Sequence, residues 1–114
     1  MKPVIYVAAP FSHPKKHIRD FRFNEATKYA AALMQNGHVV FSPLSHSVPI
    51  SEYLDNPNDS DFYINQDLFW LAQCDELHVL MLRGYEKSSG IKREIEEAEK
   101  WDISIRYVMP RGKK

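Results

Sequence analysis

Two acidic residues stand where carboxylates are costly. In "SSGIKREIEEAEKW", Ser88 to Trp101, Ile91, Ile95 and Ala98 form an apolar stripe at helical spacing. Glu94 falls three residues after Ile91 and four before Ala98, on or beside that stripe. Lys92, Arg93, Glu96 and Glu99 look outward. In "NDSDFYINQDLFWLAQC", Asn58 to Cys74, Asp67 lies between Tyr63 and Trp70 on one helical side, with Ile64, Leu68 and Leu71 beside them. Buried carboxylates are rare unless paired. Each of these two has an ordinary reading, as a solvated residue at the stripe edge or as a partner for a buried backbone group. As a pair near one sheet edge, they can divide labour. One would attack or stabilise an oxocarbenium-like carbon while the other handles a proton or orients the substrate.

Ser88, Ser89 and Gly90 stand where the second of these helices opens. Unpaired backbone N–H groups and serine hydroxyls at a helix start make a seat for an anion such as phosphate. A helix cap would need only one serine, and the sequence leaves both readings open. Other chemistries find no support. "RGYEKSSG" lacks the glycine run and terminal Lys-Ser/Thr of a Walker A loop, and "AAPFSHP" has no glycine for a dinucleotide fingerprint. No zinc-ligand spacing, HExxH or G-x-S-x-G elbow occurs, so neither a metal nor a cofactor is expected. His13 and His46 occupy loops that could face a site, although exposed placement is the ordinary outcome for such residues. His78 alternates with Leu77 and Val79 and reads as a packed sheet residue. The single cysteine, Cys74, excludes a disulfide framework and reads as a small buried filler.

The elements that must position these groups follow from hydrophobic period and turn residues. "VIYVAA", Val4 to Ala9, is a continuously apolar run ended by Pro10, as expected of a strand buried on both faces. A helix is expected from Arg19 to Gln35, with Phe23, Ala26, Ala30 and Leu33 or Met34 inward and Gly37 as its stop. "HVVFSP" is the second strand, ended by Pro43. Leu44 to Asp59 is rich in turn formers and too long for an ordinary connection. It is expected to cover a site or to contain a short helix. The helix bearing Asp67 is capped at Asn58, Asp59 or Ser60. Glu76 to Leu82 forms the third strand, Arg83 to Gly90 the loop before the Glu94 helix, and "ISIRYVMP" the last strand, with the tail "RGKK" frayed. Strands alternating with helices predict a single α/β domain over residues 1–114. It would be a small, doubly wound, mainly parallel sheet of four to five strands with helices on both faces. Ligands in such sheets gather beyond the carboxyl ends of the strands. That rule brings together the loops after Ala9 and Phe41 and the loop Arg83–Gly90.

Composition narrows the partners. Of 114 residues, 44% are hydrophobic, and fifteen basic residues balance fifteen acidic ones. The balance argues against a general nucleic-acid binder. No apolar run approaches the roughly 20 residues that span a bilayer. The opening "MKPVIYVAAPF" runs directly into a strand without a cleavage signal, so a cytoplasmic protein is expected. Phe21, Phe23, Phe62, Phe69, Trp70 and Trp101 exceed what one sheet face needs, which predicts a homodimer.

Taken in order, "IYVAAPF", "GHVVFSP", "INQDLFWLAQCD" and "SSGIKREIEEA" resemble the nucleoside 2-deoxyribosyltransferase superfamily over Ile5 to Pro110. The pattern is most similar to the 2'-deoxynucleoside 5'-phosphate N-hydrolases. The Ser88–Gly90–Glu94 spacing matches the family's Ser-x-Gly-x-x-x-Glu motif. The resemblance implies a deoxynucleoside or its 5'-monophosphate as substrate. Glu94 would be the nucleophile at the anomeric carbon, Asp67 would orient the sugar and help move the proton at the base, and Tyr6 would lie beside the nucleophile. Ser88, Ser89 and Gly90 would hold the 5'-phosphate, with Ser12 and Arg19 contributing from the loop after the first strand. It also implies dimers or higher oligomers in which a neighbouring chain can complete the pocket. Two departures leave base and phosphate preference open. "PFSHPKKH" replaces a glycine- and arginine-rich loop, with Lys15, Lys16, His17 or Arg19 available as substitute charge, and "RGYEK" lengthens the segment before Ser88. "AAPFSHP" is similar to a bacterial and phage branch of the superfamily. The competing reading is therefore a nucleotide-binding or interaction protein that keeps the fold without the chemistry.

Overall fold

The computed structural model describes residues 2–110. The expected tail at 111–114 lies outside the described residues. In chain order the elements are β1 (Val4–Ala8), α1 (Lys16–Gln35), β2 (Val39–Phe41), α2 (Pro43–Ser51), α3 (Ser60–Leu71), β3 (Glu76–Leu80), α4 (Ser89–Lys100) and β4 (Ser104–Val108). A short 3-10 turn at Tyr85–Lys87 precedes α4. The four strands form one sheet in the order β2-β1-β3-β4, every pairing parallel. This is the α/β architecture expected from the alternation of apolar strands and helices, with four strands.

Side-chain alternation divides the layers. Tyr6 and Ala8 of β1 and Leu77 and Val79 of β3 face Leu68 and Leu71 of α3 and Ile91 and Ala98 of α4, forming the main core. The other sheet face carries His78, whose ring meets Tyr29 of α1. The alanines Ala26 and Ala30 are buried there, which lets α1 lie close to the strands. Cys74 is buried, and burial pushes its thiol up to about 11, so it packs as an inert filler.

Two expectations are corrected. Helix α1 begins at Lys16 rather than Arg19, and its buried face is led by Arg22 where Phe23 was expected; Phe23 is only half-buried and Met34 is exposed. The segment after Phe41 holds the short helix expected there, α2, which begins one residue before Leu44. Pro43 sits at the first position of α2, where its missing N–H costs nothing and its fixed φ favours the helix. Strand β3 ends at Leu80 rather than Leu82. The helix stop at Gly37 holds: it adopts φ +92, a region open to glycine, and its N–H returns to the Met34 carbonyl.

Because β2 lies on one side of β1 and β3 on the other, the connection from β1 leaves in one direction and that from β3 continues in the opposite one. The crevice between the carboxyl ends of β1 and β3 is thus the switch point where α/β sheets collect ligands.

Candidate active site

A cleft of about 1510 Å³ opens at that switch point. Its walls include Ala9 to His13 after β1, the Arg83–Gly84 corner after β3, the start of α4, and parts of α2 and α3. The two carboxylates singled out by the helical pattern, Asp67 and Glu94, both line it.

Glu94 is held from two sides. Ile91 and Ala98 anchor α4 in the core, and this rotation carries Glu94 inward to 6% exposure. Beneath it, the fully buried Tyr6 projects from β1, and its hydroxyl donates a hydrogen bond to Glu94 Oε2. Burial pushes the Glu94 carboxyl up to about 8; the Tyr6 hydrogen bond opposes the rise and the nearby Asp67 adds to it. Burial likewise raises Asp67 to about 6. The Tyr6 hydroxyl is held well above its ordinary value by burial first, then by Glu94 and Asp67. Three acidic groups therefore cluster at the cleft, where burial disfavours negative charge. Near neutral pH Asp67 carries most of that charge and Glu94 is largely protonated. Such a cluster can keep one carboxyl as a proton carrier while another acts as a base or nucleophile.

At the opening of α4, Ser88 is the N-cap, and its hydroxyl oxygen accepts the Ile91 N–H at 3.2 Å. The cap reading of Ser88 is thus realised. Its hydroxyl hydrogen remains free to donate, so capping does not exclude an anion contact. Ser89 and Gly90 line the same cleft.

The loop after β1 uses its residues in an unexpected way. Ser12 lines the cleft with an exposed side chain, and its carbonyl accepts from Arg22 at 3.0 Å. Arg19 also lines the cleft and donates to the His13 carbonyl at 2.5 Å. Of the other candidate charges, Lys16 reaches the cleft wall but pairs with Asp20 at 2.8 Å, whereas Lys15 and His17 do not line it. His13 lines the cleft. His46 does not: it sits on α2 with its ring 5.5 Å from that of Phe41 and faces a separate shallow groove.

Arg22 was missed by sequence reasoning. The signal was its spacing, since Arg22, Ala26 and Ala30 recur every four residues along the buried face of α1. Among the described residues, no group of three or more His, Cys, Asp or Glu is placed to hold a metal ion. No helix among them is long and apolar enough to cross a membrane.

Comparison with known proteins gives matches of two kinds. A family model described as "Domain of unknown function (DUF1937)" matches residues 3–109. A solved structure of a 2-deoxyribosyltransferase from the psychrotolerant bacterium Bacillus psychrosaccharolyticus superposes with a TM-score of 0.69 and 20% sequence identity, covering 96% of this chain and 74% of that one. At that identity the likeness is one of fold. No curated protein matches the sequence.

Proposed function

The chain belongs to the DUF1937 family, and we propose that it acts at the N-glycosidic bond of a 2'-deoxynucleoside or its 5'-monophosphate. The observation that carries this reading is the buried Tyr6–Glu94 pair sharing one cleft with Asp67. The shared fold with a 2-deoxyribosyltransferase and the Ser88–Gly90–Glu94 spacing support it.

The proposed reaction has two halves. Glu94, as its carboxylate, attacks the anomeric carbon; the carbon–oxygen ester bond forms as the carbon–nitrogen bond breaks, and the base leaves with the bonding pair. Asp67 delivers a proton to the departing base from the minor form of the cluster, in which the one proton held by the two carboxyls sits on Asp67 and leaves Glu94 ionised. In the second half, water or a second base attacks the same carbon and gives up a proton to Asp67 as Glu94 leaves. Tyr6 keeps the attacking oxygen aimed by its hydrogen bond and stabilises the carboxylate when it forms. Developing positive charge on the sugar favours ionised Glu94, which offsets the burial that otherwise keeps it protonated. Ser88 and the N–H groups of Ser89 and Gly90 seat the 5' end, with Arg19 and Ser12 lining the same cleft.

One feature favours a second reading. With its carboxyl at about 8, Glu94 is largely protonated at neutral pH, as suits a protein that binds a nucleotide without turning it over. Incubation with a panel of deoxynucleosides and deoxynucleotides, with free base measured by chromatography, separates the two. Base release by wild type and its loss in Glu94→Gln is the expected result. No turnover across the panel, together with ligand binding by Glu94→Gln equal to wild type, leaves the binding reading.

The active species is proposed to be a homodimer. Phe62, Phe69 and Trp70 on α3 and Trp101 after α4 all keep large exposed surfaces, a pattern that marks contacts between chains. Light scattering at micromolar concentration should give twice the chain mass; a monomer mass would refute it.

A further inference from the structure

Arg22 is 8% exposed, yet it meets no carboxylate: none of the ion pairs among the described residues includes it. Its guanidinium is spent on backbone. Nη1 donates to the carbonyls of Ser12 at 3.0 Å and Phe11 at 3.5 Å, in the loop after β1. Nη2 donates to the carbonyl of Arg83 at 2.8 Å, in the loop after β3. These are the two loops that flank the switch-point cleft, and the second leads into the helix bearing Glu94. A buried, uncompensated cation is a poor device for stability alone, because apolar packing serves as well or better. A planar fork reaching carbonyls on two separate segments is instead a device for holding them in register.

Gly84 completes the arrangement. It adopts φ +91, and a Cβ there would stand 2.9 Å from Arg22 Nη2. The corner after Arg83 is therefore built to admit the guanidinium as well as to turn the chain.

We propose that Arg22 is a positioning residue that clasps the loop after β1 to the loop after β3, fixing the mouth of the cleft and the entry of the helix that carries Glu94. Its consequence for catalysis rests on the proposed glycosidic reaction; the clasp itself does not. Glu94 must approach a sugar carbon along a defined line, and small misplacements of a reacting group cost large factors in rate. Ligand contacts made elsewhere in the cleft survive loss of the clasp.

Peptide-resolved hydrogen exchange on the full chain tests the clasp without reference to activity. In Arg22→Met, the peptide carrying the hydrogen-bonded amides of Tyr85, Lys87 and Ser88 should exchange about tenfold faster or more, while those of β1 and β3 keep wild-type protection. Arg22→Lys should behave like Arg22→Met, because one ammonium cannot span both loops. Gly84→Ala, which displaces the guanidinium from the other side, should give the same local signature and add little to Arg22→Met. Wild-type exchange at Tyr85–Ser88 in Arg22→Met, or full restoration by lysine, would overturn the proposal. Where base release is measured, Arg22→Met should lower kcat by about tenfold or more and raise KM as well, because the proposed 5' contacts at Ser12 and Ser88–Gly90 lie on the clasped loops. A rise in KM alone, at unchanged kcat, would overturn the positioning role. Absence of turnover in wild type would instead strike the proposed reaction and leave the exchange result to stand on its own.

Discussion

Each face of the sheet holds a tyrosine hydrogen-bonded to an ionisable partner, fully buried in Tyr6 and half-buried in Tyr29, and the two arrangements differ in how charge is met. On the α1 face, the Tyr29 hydroxyl meets His78 Nδ1 at 2.6 Å, His78 Nε2 meets Glu76 Oε1 at 2.9 Å, and Arg106 approaches the same oxygen at 3.4 Å. That carboxylate has a full cation and a polarisable ring beside it, and the network lies away from the large cleft. On the other face, Tyr6 and Glu94 are joined by Asp67, a second acid, and no cation pairs with any of the three among the described residues. A compensated network stabilises a fold; an uncompensated one shifts pKa values and remains ready to respond to a ligand's charge. The contrast also separates roles that sequence alone leaves mixed, since both faces hold a tyrosine, a carboxylate and strand-borne polar groups.

The largest expected effect that sharpens this contrast lies in the pH dependence of stability. Asp67 and Glu94 have folded values of about 6 and about 8, both above the ordinary carboxylate range of an unfolded chain. The folded state therefore binds protons more tightly than the unfolded state. The stabilisation is complete below the unfolded values near 3.8 and 4.5, and it is lost as pH rises through about 6 and about 8. Thermal melts of wild type should fall in Tm from pH 5 to pH 9. Glu94→Gln, unable to ionise, should remove most of that slope and be the more stable protein at pH 9. A wild-type Tm that climbs over this interval would contradict the charge state assigned to the cluster.

The opposite face should break differently. Glu76→Ala removes the acceptor shared by His78 and Arg106 and should lower stability at neutral pH by about 1–3 kcal/mol, with turnover nearly unchanged. Urea unfolding measures the first and base release the second. A large loss of activity at wild-type stability would erase the distinction between the two faces.

Much of the uncompensated cluster is legible in the amino-acid sequence alone. Glu94 stands out because it falls on or beside an Ile91–Ile95–Ala98 stripe, although a solvated place at the stripe edge is equally open to it, and Asp67 because it shares a side with residues beside Leu68 and Leu71. Tyr6 is reached only through family resemblance. In a strand apolar on both faces, the sequence carries no period to say which face a residue joins. Arg22 is illegible for a different reason: arginine at the head of a helical stripe ordinarily lies at the surface, and its partners are backbone carbonyls with no sequence signature. The bounds of helix α2, though not the expectation of a short helix there, are hidden by its composition. "PLSHSVPIS" carries two prolines and three serines, residues that signal turns unless tertiary packing decides otherwise. The parallel sheet, and hence the edge at which the cleft opens, follows from the alternation of strands and helices.

The smallest expected effect concerns the helix start. Ser88→Ala removes an observed cap and should cost about 1 kcal/mol of stability. If the same hydroxyl donates to a 5'-phosphate, the variant should also weaken monophosphate binding about tenfold beyond any loss for the plain nucleoside, a difference of about 1.4 kcal/mol. Calorimetry on the Glu94→Gln background measures both ligands. Equal losses would leave Ser88 as a cap alone.

The identity of the attacking group can be read directly. Wild-type protein is quenched in acid during turnover of the best deoxynucleoside or deoxynucleotide from the panel, digested, and mapped by mass spectrometry. The predicted result is a deoxyribosyl ester on the peptide containing Glu94, localised to that side chain and absent from Glu94→Gln. An ester on Asp67, or steady base release by Glu94→Gln at the wild-type rate, would contradict the assignment of the buried Tyr6–Glu94 pair as the reacting centre.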